Sequence, residues 1–265
     1  MGLKEIQAAF AKARAEGRPA LMPYWPLGYP DRPTSLRIVE SIARAGVDML
    51  ELGIPFSDPL ADGPVIQRAS QIALEHGISV QGCVDLTATL RNRGLHIPIL
   101  AMGYLNPLLA YGERRYVEAW HHAGADGFII PDLPPEESDR LAALSRENGL
   151  ALVQFAAPTS TARRLKLAAA HASGFIYIVA VTGVTGARDS LAAGLHEYVE
   201  RVKALAGGKP VVVGFGISRP EHIREVGQYA DGVIFASALI HAVAGADDPA
   251  QAAHDFVRKL AGVER

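Results

Sequence analysis

Two carboxylates, Glu51 and Asp62, stand where this chain could move protons. Glu51 lies in Met49-Leu50-Glu51-Leu52-Gly53, an apolar run in which it alternates with Leu50 and Leu52. In a strand, that alternation turns Glu51 to the face opposite the two leucines. No other apolar run offers an Arg or Lys to pair with it there. A carboxyl desolvated in this way has a raised pKa, which suits it to give and take a proton near neutral pH. Asp62 lies in Pro55-Phe56-Ser57-Asp58-Pro59-Leu60-Ala61-Asp62-Gly63-Pro64, an aperiodic stretch that overlies the same strand end. Asp58 is expected to open an Asx turn before Pro59. Asp62 is expected to cap the helix beginning at Gly63-Pro64 and to close a carboxylate over a ligand.

A second cluster consists of small residues. Thr182-Gly183-Val184-Thr185-Gly186, Gly214-Phe215-Gly216-Ile217-Ser218 and Ala236-Ser237-Ala238 follow three consecutive apolar runs. Glycine lets backbone N–H groups approach a phosphate, and a helix starting at Ser237 would point its positive end at the anion. Other chemistries find little support. The nine histidines form neither HxH on a strand nor HExxH on a helix, so no metal site is expected. No GxSxG is present, and no lysine stands at a strand end to form a Schiff base.

The elements that must position these groups follow from the hydropathy pattern. Short apolar runs at 20–24, 47–52, 97–102, 127–130, 151–155, 174–179, 210–213 and 232–235 alternate with ten amphipathic segments. That alternation predicts a parallel sheet, and nearly unbroken apolar runs such as Val211-Val212-Val213 predict strands covered on both faces. The expected fold is α/β, a (β/α)8 TIM barrel with extra helices at the N-terminus, after strand 2 and after strand 8. It spans 1–265 as a single domain, a length that suits one such barrel. A doubly wound sheet is disfavoured because no GxGxxG follows the first strand. Ala-Gly-Val-Asp at 45–48 is echoed by Ala-Gly-Ala-Asp-Gly at 123–127 and by Tyr-Ala-Asp-Gly at 229–232. A glycine just past each helix end is the expected reason.

The balance of 26 basic against 28 acidic residues argues against a nucleic-acid partner. No apolar stretch approaches the length of a membrane span, and the first residues do not resemble a signal peptide. With a single cysteine, Cys83, no intramolecular disulfide can form, and the cytoplasm is the expected location.

The run Leu50-Glu51-Leu52-Gly53-Ile54-Pro55-Phe56-Ser57-Asp58-Pro59-Leu60-Ala61-Asp62-Gly63-Pro64-Val65-Ile66-Gln67 closely resembles the signature of the tryptophan synthase alpha subunit family. Similar matches follow in order at Met102-Gly103-Tyr104-Leu105-Asn106-Pro107, Ile130-Pro131-Asp132-Leu133-Pro134-Pro135-Glu136-Glu137, Ala157-Pro158-Thr159 and the glycine loops. The resemblance implies retro-aldol cleavage of indole-3-glycerol phosphate to indole and glyceraldehyde 3-phosphate without metal or organic cofactor. It implies a beta-subunit partner in an α2β2 tetramer, which holds pyridoxal phosphate and condenses indole with serine. Glu51 then matches the general acid/base and Asp62 the carboxylate facing the indole N–H. Tyr24 and Tyr177 match substrate-binding positions, Tyr177 flanking the acid. Gly186, Gly216 and Ser237 match phosphate ligands, Thr185 the loop that folds over the site, and Asp58 and Pro59 the partner-facing loop. Two departures stand out: Pro26 replaces a threonine, and Ala236 a glycine, usual in the family. They motivate one alternative, a stand-alone lyase releasing free indole; a second, a non-catalytic allosteric partner of the beta subunit, is disfavoured by the presence of Glu51 and Asp62.

Overall fold

A computed structural model of the chain describes residues 2–179, 194–214 and 216–262. Thr185 and Gly186 lie outside the described residues. Eight parallel strands close into a barrel in sequence order: β1 (Ala20–Pro26), β2 (Leu50–Gly53), β3 (Ile99–Met102), β4 (Gly127–Ile129), β5 (Ala151–Ala156), β6 (Ile176–Val179), β7 (Val211–Gly214) and β8 (Gly232–Phe235). Their residues are buried almost throughout, as expected of strands packed by side chains inside and helices outside.

Twelve α-helices surround the barrel among the described residues. They are α1 (Leu3–Ala15), α2 (Arg32–Arg44), α3 (Pro64–Glu75), α4 (Val80–Asn92), α5 (Leu105–Tyr111), α6 (Glu113–His122), α7 (Asp139–Glu147), α8 (Ala162–His171), α9 (Leu195–Leu205), α10 (Pro220–Val226), α11 (Ser237–Val243) and α12 (Pro249–Leu260). The extra helices expected before β1, after β2 and after β8 are present as α1, the α3–α4 pair and α11 with α12. Side-chain caps begin several helices: Asp31 accepts from Thr34 N at 2.8 Å, and Ser79 from Gly82 N at 3.1 Å. The seven-residue α5, with Pro107 in its first turn, was not among the expected helices. A helix of under two turns shows no usable 3.6-residue periodicity.

The recurring Ala-Gly-X-Asp has a second reason beside the one expected. Gly46 and Gly124 do take positive φ, +96° and +86°, just past α2 and α6. The third echo has no glycine there. What recurs is the aspartate. Asp48 N–H donates to Leu21 O at 3.0 Å, and its carboxylate accepts from Leu21 N at 2.8 Å. Asp126 clasps Ile99 in the same way, at 2.8 Å for both bonds. Asp231 clasps Val211, at 2.9 Å for both. Ser173 completes the set by clasping Leu152 through its hydroxyl, again at 2.9 Å twice. Each odd strand is thus clamped by the residue that leads into the next even strand. The carboxylates carry cations: Arg18 and Arg91 on Asp48 and Asp126, and Arg14 and Lys203 on Asp231.

Candidate active site

At the opposite rim, Glu51 points into the barrel. It is the register partner of Tyr24, whose ring lies over Gly53 on the same face of β2, and its charge helps raise the pKa of buried Tyr177 on β6, the strand opposite β2 in the barrel. Glu51 is 2% exposed, and its Oε2 has no hydrogen-bond partner. Burial, reinforced by the negative charge of Asp62, raises its pKa to about 8.

Asp62 arrives from the β2–α3 loop. Its N–H closes a turn on Pro59 O at 3.1 Å, and its carbonyl accepts from Gln67 Nε2 at 2.8 Å. The expected cap on α3 is not formed: Gly63 occupies that position without a side-chain bond. The Asp62 carboxylate accepts instead from Tyr104, which follows β3, and the same phenol oxygen receives Ala61 N–H at 3.1 Å. Burial outweighs the Tyr104 bond and lifts Asp62 to about 6. At pH 7 Glu51 is therefore mostly protonated and Asp62 mostly ionised. Two carboxyls with separated pKa values divide the acid and counter-ion roles between them. Asp58, also on this loop, accepts from Ser57 Oγ at 2.5 Å and is exposed, beside half-buried Pro59.

Two tyrosines complete the lumen. Tyr24 pairs in register with Glu51, and a Cβ on Gly53 would overlap the Tyr24 hydroxyl. Tyr177 lies over Gly214 in the same manner and stacks on Phe155 at 5.0 Å. Both phenols are pushed well above their ordinary range, by burial first and then by the carboxylates. Glycine at 53 and 214 makes room for these rings.

Beyond Tyr177 opens a cleft of about 350 Å³ at the ends of β7 and β8, lined by Gly214, Gly216, Ser218, Ser237 and His241. No Lys or Arg lines it among the described residues. A larger cleft of about 910 Å³ lies between α10 and α12, among helix residues and away from the carboxylates. Volume alone does not select the site.

Glu51, Asp62, Tyr24 and Tyr177 are thus brought together, with Gly216 and Ser237 at the adjoining cleft. Tyr104 was quoted in a sequence motif but given no role; its place at a barrel strand's C-terminal end was the available signal. The two departures are accommodated. β8 pairs with β1 only as far as Pro23, so Pro26 has no ladder partner to lose on that side. Ala236 has φ −135°, which needs no glycine. Among the described residues no group of three or more His, Cys, Asp or Glu is placed to hold a metal ion.

Comparison with known proteins agrees along the whole length. The model of the family "Tryptophan synthase alpha chain" matches residues 10–264. The tryptophan synthase alpha chain of Roseiflexus sp. (strain RS-1) is 51% identical over 262 residues, covering 98% of this chain and 100% of the relative. A crystal structure of tryptophan synthase from M. tuberculosis, in its aminoacrylate-bound form, superposes with a TM-score of 0.88 at 33% identity, covering 98% of this chain and 99% of that one. The alpha chain from Legionella pneumophila subsp. pneumophila gives 0.89 at 33% identity over 99% and 97%. The chain belongs to the tryptophan synthase alpha chain family.

Proposed function

We propose that this chain performs its family's lyase reaction, the retro-aldol cleavage of indole-3-glycerol phosphate, with Glu51 as the acid/base and Asp62 as its electrostatic partner. The observation that carries this is a buried, mostly protonated glutamate with an unpartnered oxygen, facing an ionised aspartate inside the barrel mouth.

Glu51 gives its proton to indole C3, which makes the ring nitrogen cationic. The Asp62 carboxylate accepts the ring N–H and offsets a charge that exists only along the reaction path, which is how such a group lowers a barrier. Glu51, now ionised, removes the proton of the glycerol hydroxyl next to the ring. The C–C bond breaks, its electron pair returns to the indole ring, and the hydroxyl carbon becomes the aldehyde of glyceraldehyde 3-phosphate. Glu51 ends protonated, as it began. The protein needs no organic cofactor or metal for these steps. Tyr24 and Tyr177 flank the ring and exclude water. Gly216 and Ser237 hold the phosphate through N–H groups and a hydroxyl.

The partner is the tryptophan synthase beta subunit in an α2β2 assembly, which carries the pyridoxal phosphate and takes up the indole. Its docking face includes Asp58 and Pro59, with Leu60 beside them 92% exposed. A leucine so exposed is normally covered in an assembly. No described helix is long and apolar enough to cross a membrane, and we place this single-barrel enzyme in the cytoplasm.

The test is indole release from indole-3-glycerol phosphate, with and without a cognate beta subunit. Turnover should be slow alone, faster with beta, and abolished in Glu51→Gln. Undiminished turnover in that variant would remove Glu51 from the mechanism.

A further inference from the structure

The cleft of about 350 Å³ at the ends of β7 and β8 holds one side chain able to carry positive charge among its described lining, His241 of α11. This helix presents Ser237, Ala238 and His241 to the cleft, while Leu239 and Ile240 pack into the core. Ser237 and His241 stand one helical turn apart, so their Cβ atoms are about 5–6 Å from each other. Helical side chains lean toward the start of their helix, which tips the His241 imidazole back toward Ser237. An anion at the Ser237 hydroxyl is therefore within its reach.

The rest of the described lining is apolar side chains, glycines, serines and Tyr177, with neither Lys nor Arg. A phosphate monoester brings about −1.5 to −2 charge to it at pH 7. His241 is exposed, and among the described residues no hydrogen bond or ion pair ties it elsewhere. The helices packed on α11 are α3 and α12. The charged side chains of α3, Arg68 and Glu75, are exposed and outside the cleft lining. Those near the end of α12, His254, Asp255, Arg258 and Lys259, line the separate cleft against α10. His222 stands behind Ser218, whose N–H donates to its Nδ1 at 3.3 Å, and burial keeps Tyr177 neutral.

Resting on the reading of this cleft as the phosphate end of the substrate site, we propose that His241 is a phosphate-binding residue: its imidazolium pairs with the phosphate held at Gly216 and Ser237 and supplies the positive charge that N–H groups and a hydroxyl do not. The ligand class is a phosphate monoester dianion. A neutral imidazole can still donate one hydrogen bond but carries no charge. Histidine ordinarily changes its charge between about pH 5 and 8, so the grip on phosphate loosens as pH rises through that range.

The experiment is calorimetric titration of inorganic phosphate and of glyceraldehyde 3-phosphate into the full chain at pH 6.5 and 8.5. Wild type, His241→Gln and His241→Lys are compared, with indole as an uncharged control. At pH 6.5 His241→Gln should weaken both phosphates about three- to tenfold, the effect of a charge-assisted hydrogen bond discounted for an exposed site. At pH 8.5 it should agree with wild type within about twofold, whereas His241→Lys should bind at the pH 6.5 wild-type strength at both pH values. In turnover of indole-3-glycerol phosphate the loss should fall on KM, and the kcat limb set by Glu51 should stay in place. Equal affinities of wild type and His241→Gln at pH 6.5, or a weakening that persists undiminished at pH 8.5, overturns the proposal. If His241→Gln also loses indole, His241→Lys decides, and phosphate binding that falls with pH in that variant as it does in wild type overturns the proposal. Wild type that binds neither phosphate overturns the phosphate reading of the cleft, whereas wild type that binds both, with His241→Gln unchanged, overturns only this inference.

Discussion

Replacing Glu51 by Gln should abolish catalysis and stabilise the fold, and the size of the gain follows from the buried carboxyl. In the unfolded chain a glutamate titrates near 4.5; in the barrel Glu51 titrates at about 8. Below pH 4.5 both states hold the proton, and Glu51 costs the fold nothing by ionisation. Between these pH values the folded state keeps a proton that the unfolded state has released, so stability falls as pH rises, by about 1.4 kcal/mol per pH unit. At pH 7 the accumulated cost is about 3 kcal/mol, and above pH 8 it levels off near about 5 kcal/mol. Gln is close in shape to the protonated acid and never ionises. The variant should match wild type near pH 4.5, exceed it by about 3 kcal/mol at pH 7, and melt about 6–12 °C higher there. Urea unfolding of both proteins across pH 4.5–8.5 measures the difference directly. A difference that stays flat with pH, or a less stable variant at pH 7, would show that Glu51 is not held protonated by burial.

Asp62→Asn should lower kcat about 10²- to 10³-fold with little change in KM, because the lost charge acts mainly on the transition state; a rise in KM alone would place Asp62 in ground-state binding. The same variant should shift the Glu51 limb to lower pH, since a negative neighbour has gone. Arg91→Met should cost roughly 3 kcal/mol or more in urea unfolding, because it strands Asp126, which is 0% exposed, without its cation. Leu60→Glu should weaken beta-subunit binding at least about tenfold by calorimetry, by taking one exposed leucine out of the interface; an unchanged Kd would move the docking face elsewhere.

The strands were legible because they are buried on both sides, and the aim of Glu51 because two leucines alternate with it. Their starts were less so: β2 begins at Leu50, since Val47, Asp48 and Met49 serve the turn and clamp before it. The bond from Asp62 to Tyr104 was invisible because Tyr104 comes from another strand's end, brought close only by barrel closure. Ser173 shows the same limit. It does the work of Asp48, Asp126 and Asp231 within His171-Ala172-Ser173-Gly174, which shares no Ala-Gly-X-Asp pattern. Function at that rim is set by one hydrogen-bond acceptor at the right backbone position, and either a carboxylate or a hydroxyl supplies it.

The clamp at Asp48 also bears on chemistry at the far end of its strand. Glu51 stands three residues beyond it, about 10 Å along the chain. A slip of β2 by one residue against β1 would break both Asp48 bonds to Leu21 and would turn Glu51 out of the lumen and a leucine into it. The aspartate at the foot of the strand therefore aims the acid at its head, and accuracy at the catalytic mouth is set from the rim where no chemistry occurs.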